Sequence, residues 1–182
     1  MDYTEKKISE IVAYKGVIVN LTLDTVELPD GTTAFREVIR HPGGVAILAV
    51  DDEGYTSIVR QYRYAHDRHL IEIPAGKLEY NEDPLLCAQR ELSEETGYTA
   101  DKWTSLGYLL VSPGGSTEKL YLYLARGLHR GEAHTDVGEF LDSDRMPFRE
   151  LYEKVLSGEV CDGKTMAAVL KAACKTDLLS KG

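Results

Sequence analysis

Apolar and polar positions along this 182-residue chain form short extended runs through much of its length and turn helical at its end. Residues 3–42 read as a separate unit of extended structure. Within it, residues 17–28 are rich in β-branched side chains and partly alternate. Pro29-Asp30-Gly31-Thr32 follows as a turn, because Pro presets φ and Gly accepts positive φ, and residues 33–40 return as a second strand. The pattern predicts an N-terminal antiparallel β-hairpin with Val17, Val19, Leu21 and Leu23 on one apolar face. His41-Pro42-Gly43-Gly44 interrupts it. Residues 45–50 are an apolar run of buried-strand length, residues 55–63 another strand, and residues 70–73 a short one entering Pro74-Ala75-Gly76. Runs at 103–111 and 120–126 flank the loop Ser112-Pro113-Gly114-Gly115-Ser116-Thr117-Glu118. The tail predicts two helices, 148–156 closed by Gly158 and 164–179 opened by Asp162. This succession predicts an α/β fold, a mixed β-sheet sandwiched between α-helices, divided into segments 1–42 and 43–182.

One more helix is predicted between Asp83-Pro84 and Gly97. Asp is a favoured N-cap, Pro fits a first turn whose N–H would be unpaired anyway, and Gly accepts the left-handed conformation that closes a helix. Leu85, Ala88 and Leu92 share an arc that can face a core. Glu91, Glu94 and Glu95 share a different arc of roughly 100°, by the ~3.6-residue turn. Local stability does not account for them: Glu91 and Glu95 are a like-charge i,i+4 pair, and Glu94 and Glu95 stand at the negative end of the helix dipole. A solvated acidic face is the ordinary reading of such a cluster. A hard cation would also account for it, because Mg²⁺ takes carboxylate oxygens and shares its shell with substrate phosphates.

Composition narrows the classes. Hydrophobic content of 43% and charged content of 28% describe an ordinary globular chain, with no run near the ~20 apolar residues of a membrane span. Met1-Asp2-Tyr3-Thr4-Glu5-Lys6-Lys7 lacks a secretory apolar run, which predicts a cytoplasmic protein. A net charge of −9, from 21 basic and 30 acidic side chains, argues against nonspecific nucleic-acid binding while leaving room for a small phosphorylated ligand. Cys87, Cys161 and Cys174 form neither a disulfide framework nor a zinc pattern, and Cys87 reads as a packing residue. His41, His66, His69, His129 and His134 have no metal-ligand spacing and read as surface or turn residues.

From Gly76 to Tyr98 the chain carries Gly, five residues, Glu82, seven residues, Arg90-Glu91, Leu92, Ser93, Glu94-Glu95, Thr96, Gly97 and a bulky Tyr98. These 23 residues resemble the Nudix box without a departure. Glu72-Ile73-Pro74-Ala75-Gly76-Lys77 before the box and Pro113, 15 positions after Tyr98, resemble the ADP-ribose pyrophosphatase branch of that family. So do His41-Pro42-Gly43-Gly44-Val45-Ala46, Arg60-Gln61-Tyr62-Arg63 and Asp162-Gly163-Lys164-Thr165, so that the likeness covers roughly residues 8–175.

The resemblance implies a Nudix fold and hydrolysis of a nucleoside diphosphate sugar, ADP-ribose first, to AMP and ribose 5-phosphate with Mg²⁺ or Mn²⁺. It implies metal ligation by Glu91, Glu95 and the backbone carbonyl of Ala75, with Glu94 a further ligand or water-holding group and Glu82 in the outer shell. Arg90 would orient the carboxylates through charge-assisted hydrogen bonds. Glu118 would be the general base, and Pro113 and Gly115 belong to the substrate loop that carries it. Arg63 of the same subunit and Arg36 of the other subunit of a homodimer would hold the phosphates, since a guanidinium is a planar fork. Strand arginines also commonly pair with surface acids. Trp103 and the 11 tyrosines offer stacking rings that spacing does not choose among, and Val17-Ile18 stands where relatives often carry an adenine-stacking aromatic. Another nucleoside diphosphate sugar, an RNA cap, or binding without cleavage are the competing readings; the intact box disfavours the last and the acidic charge disfavours RNA.

Overall fold

The computed structural model describes residues 2–133 and 140–181, so that His134 lies outside the described residues. The chain divides into two compact units, residues 1–43 with 110–119 and residues 44–109 with 120–182.

The first unit is an antiparallel sheet of β1 (Lys6–Lys15), β2 (Asn20–Glu27) and β3 (Thr33–Arg40), in that order. The predicted hairpin is β2–β3, closed at Gly31 with φ of 83° and a bond from Leu28 N–H to the Thr32 carbonyl at 2.8 Å. Two details differ from the sequence pattern. A third strand, β1, pairs with β2, and Val17-Ile18-Val19 belong to the connection between them rather than to a strand. Pattern reading missed β1 because Lys6–Lys15 is exposed along its whole length and lacks a buried face to impose alternation. Burial on β2 also runs against polarity: Thr22 and Asp24 are buried, while Leu23 is 37% and Val19 42% exposed. Thr22 donates to Asp24 at 2.8 Å and Asp24 pairs with Arg40 at 2.5 Å, which lets the polar face be covered. Ile8, Ile11, Val12, Tyr14, Ile18 and Phe35 are exposed as well.

The second unit is built on β4 (Gly44–Ala49), buried at every position. It pairs in parallel with β9 (Lys119–Arg130) and antiparallel with β7 (Ala75–Lys77), and β8 (Tyr98–Leu110) lies beyond β9. A strand buried on both faces needs cover on both. Val45, Ile47 and Ala49 pack with Cys87, Ala88 and Leu92 of α1 (Pro84–Thr96), while α3 (Gly163–Lys175) also packs against β4. The neighbouring antiparallel sheet runs β10 (Leu141–Pro147), β5 (Tyr55–Arg63), β6 (Arg68–Glu72). Helix α2 (Phe148–Ser157), closed by Gly158 with φ of 81°, packs on β10 and α3. Pattern reading did not find β10. Leu141-Asp142-Ser143-Asp144-Arg145 is an exposed, charged edge whose strand conformation comes from pairing with β5 rather than from propensity. No described helix is long and apolar enough to cross a membrane.

Candidate active site

Helix α1 starts and stops where its caps require. The Asp83 carboxylate accepts from the N–H groups of Leu85 at 2.8 Å and Leu86 at 3.2 Å, and Gly97 closes the helix with φ of 73°. Its C-terminal half carries the acids, and these turn toward β7. Glu95 is 4% exposed and accepts from the Ala75 N–H at 2.9 Å. The Glu91 carboxylate lies over Gly76: a Cβ added there would stand 1.8 Å from Glu91 Cδ. Gly76 is thus glycine because the space a side chain would fill is taken by a carboxylate.

Arg90 gathers the other acids. Its Nε reaches Glu82 at 3.0 Å, and its Nη1 reaches both Glu91 and Glu94 at 2.8 Å. Glu82 also accepts the Glu79 N–H at 2.9 Å. The hydrogen bonds from Arg90 hold the Glu82 carboxyl at about 2, far below the usual carboxylate range, and the same bonds push the Arg90 guanidinium above its ordinary value. Three of the four acids therefore meet one cation while Glu95 meets the Ala75 N–H, and among the described residues no group of three or more His, Cys, Asp or Glu side chains is assembled to hold a metal ion. The donor set nevertheless suits one. Glu91 and Glu95 present hard oxygens beside the backbone of residues 75–76, and Mg²⁺ binds through one or two carboxylates plus substrate oxygens. Cys87 is fully buried in the core, and burial pushes its thiol up to about 12, so it packs rather than reacts.

Arg63, at the end of β5, is tied to Glu72 by two bonds of 2.7 Å, from Nε and Nη2. Those bonds hold it charged against burial, helped by the charges of Glu72, Asp162 and Glu95. Burial pushes the Glu72 carboxyl up, but the bond from Arg63 and the charge of Lys164 outweigh it and leave it below its ordinary value. Glu72 and Lys164 are the residues whose roles sequence reasoning did not find, while Asp162 was read as the opening of α3, which it caps. The available signal was a charge, Glu72, inside the apolar run Leu70-Ile71-Glu72-Ile73, where a buried carboxylate needs a partner.

The remaining predicted residues belong to the first unit. Arg36 is engaged by Glu5 at 3.0 and 2.5 Å and donates to the Phe35 carbonyl at 2.9 Å. The loop carrying Pro113 is fastened to β3: Ile39 donates to the Gly115 carbonyl at 2.8 Å, and Thr117 donates to the Ile39 carbonyl at 2.9 Å. Glu118 follows, its carboxylate 3.9 Å from His41 Nδ1. That nitrogen accepts the Gly43 N–H at 3.1 Å, so it offers Glu118 no proton, and the carboxylate makes no side-chain hydrogen bond among the described residues. Of the other histidines, His66 ends a 3₁₀ turn, His69 meets Tyr62 edge-on, and His129 pairs with Asp101 at 2.9 Å on the surface.

Residues 40–169 match the family model described as the NUDIX domain. The chain is 41% identical over 167 residues to an ADP-ribose pyrophosphatase of Bacillus subtilis (strain 168), covering 91% of this chain and 90% of that protein. It is likewise 41% identical over 169 residues to a methanol dehydrogenase activator of Bacillus methanolicus, covering 92% of this chain and 91% of that one. A crystal structure of an ADP compounds hydrolase superposes with a TM-score of 0.84 at 18% identity, covering 98% of this chain and 97% of its own.

Proposed function

The chain belongs to the NUDIX domain family, and on that footing we propose that it is a Mg²⁺-dependent pyrophosphatase splitting ADP-ribose into AMP and ribose 5-phosphate. The observation that carries this reading is the placement of Glu91 over Gly76 and of Glu95 on the Ala75 N–H, which sets two carboxylates on the backbone that opens the box. The substrate comes from the pyrophosphatase relative and from the segments around Pro74 and Pro113. Incubation with ADP-ribose and Mg²⁺, followed by chromatography of the products, tests it against other nucleoside diphosphate sugars. Release of AMP is the expected result, and an intact substrate would overturn the reading.

Glu91, Glu95 and the Ala75 carbonyl would hold the divalent ion, with Glu94 beside them and Glu82 further out. When bound, such an ion neutralises pyrophosphate charge and acidifies a coordinated water. The protein supplies the rest. Arg90 fixes the direction of Glu82, Glu91 and Glu94. Arg63 and Arg36 take phosphate oxygens, and Glu118 takes the proton of the attacking water, as a carboxylate not already bonded can do. The three cysteines are free, as suits the cytoplasm.

Gly76 gives a separable test. In Gly76→Ala the clashing atoms are the far end of the Glu91 side chain, which can swing aside. Stability should change by no more than about 1 kcal/mol, as for Gly→Ala in a permissive backbone. The carboxylate cannot stay where it is, and a misplacement of about 1 Å costs around 10²-fold in rate. Melting temperature and kcat measured side by side check this; a wild-type kcat would show that the position of Glu91 over Gly76 is not used.

We place residues 1–42 at the interface of a homodimer, where Arg36 serves the partner's substrate. Ile11, Leu23 and Phe35 are exposed on one face of the β1–β2–β3 sheet within one chain, apolar area that a second copy would remove from water. A two-fold contact would cover the same patch on both copies. Mixing Arg36→Ala with Glu95→Gln subunits should restore activity, because a heterodimer then has one site with both defects and one intact site. Two inactive parents that regain nothing on subunit exchange would overturn the shared site, as would a fully active monomer in light scattering.

A further inference from the structure

The segment Asp162-Gly163-Lys164-Thr165 has no part in the reaction above, yet it is among the most tightly built places in the second unit. Asp162 caps α3, accepting from the Thr165 N–H at 3.0 Å and from the Thr165 hydroxyl at 2.6 Å. The Thr165 hydroxyl in turn accepts the Ile73 N–H at 2.9 Å, which pins the start of α3 to the strand end before the box. Lys164 donates to Asp162 at 3.0 Å and to Glu72 through a short bond. Glu72 then holds both Nε and Nη2 of Arg63. Side-chain exposure rises outward along this chain of contacts, from 1% at Glu72 and 13% at Lys164 to 41% at Arg63.

A buried ionic network of this kind is weak evidence for stability, because desolvating the charges costs about as much as their attraction returns. Its geometry has a directional consequence instead. Glu72 grips the edge formed by Nε and Nη2, so that Nη1, which makes no further bond among the described residues, is left for a ligand on a side chain that is 41% exposed. Two acids face two cations in the group, and Lys164 keeps Glu72 from neutralising Arg63 by itself. We infer that Glu72 is a positioning residue which aims the Arg63 fork at a substrate phosphate, and that Lys164, seated by the cap of α3, holds Glu72 in place and balances its charge. The inference rests on the reading of Arg63 as a phosphate ligand for ADP-ribose.

Glu72→Gln and Lys164→Met should each raise the KM for ADP-ribose roughly 10- to 100-fold, the scale of a misplaced substrate clamp, with a much smaller change in kcat. Lys164→Arg should recover most of the loss. In an Arg63→Ala background, neither substitution should raise KM further, because a group acting through Arg63 has nothing left to aim. A purely structural role would instead lower the melting temperature of both variants, leave KM unchanged, and persist without Arg63. If Glu72→Gln fails to fold, Lys164→Met, which keeps the aliphatic stem, decides the matter by the same measurements. Should Arg63→Ala itself leave KM unchanged, the phosphate-ligand reading fails; should it raise KM while Lys164→Met does not, only the positioning role fails.

Discussion

Replacing Glu95 with glutamine is expected to leave a folded protein whose kcat is lower by about 10²–10³-fold, the cost of removing one group that stabilises transition-state charge. The fold should survive for a local reason. A glutamine carbonyl oxygen can still accept the Ala75 N–H that the carboxylate now accepts at 2.9 Å. The substitution also removes a like-charge contact with Glu91, worth a few tenths of a kcal/mol on an isolated helix, about 0.2–0.5. What cannot survive is the anionic oxygen for a hard cation, so loss of activity should be accompanied by weaker Mn²⁺ binding, and EDTA should silence the unaltered enzyme completely. Measuring melting temperature, Mn²⁺ affinity and kcat on one preparation separates these effects. A Glu95→Gln protein with near-normal kcat, or turnover that persists in EDTA, would rule out metal-assisted hydrolysis at this box.

Glu118→Gln should lower kcat by roughly 10²–10⁴, the usual contribution of a positioned proton acceptor. Metal affinity should stay nearly unchanged, because Glu118 is not among the proposed ligands. The loop should also keep its shape, since it is held by backbone bonds between Ile39, Gly115 and Thr117 and by the Ser116 hydroxyl on the Glu118 N–H at 3.1 Å, none of which uses the carboxylate. Near-normal Mn²⁺ binding with collapsed kcat would therefore set Glu118 apart from Glu95, which should lose both. A loss below about threefold would show that a box glutamate or a metal-held hydroxide removes the proton without it.

Much of the second unit is legible in the sequence. The limits of α1 follow from Asp83, Pro84 and Gly97, each of which acts on its own backbone or the next turn. β4 and β5 were legible because an uninterrupted apolar run and a β-branched run state their burial directly. The first unit was harder. The β2–β3 hairpin is a local event set by Pro29 and Gly31, and it was found. Strand β1 exists through pairing with β2 and buries nothing of its own, so its sequence had no reason to alternate. The same holds for β10, a charged edge that is a strand because β5 offers it a ladder.

The candidate site divides along the same line. The candidates for the chemistry were legible in the sequence: the box glutamates, Arg90 and Gly76 lie close together in the chain, and a helix of known period fixes their mutual order. Tertiary structure decided what each one touches. Only the pairing of β7 with β4 brings Ala75 and Gly76 under α1, so that Gly76 is required by the Glu91 carboxylate rather than by a turn. Only the docking of α3 brings Lys164 to Glu72, a contact across 92 positions that no spacing rule can anticipate. Local propensities act over a few residues and can be read along the chain. Burial of a charge is settled by partners that arrive from elsewhere, and these the folded chain alone supplies.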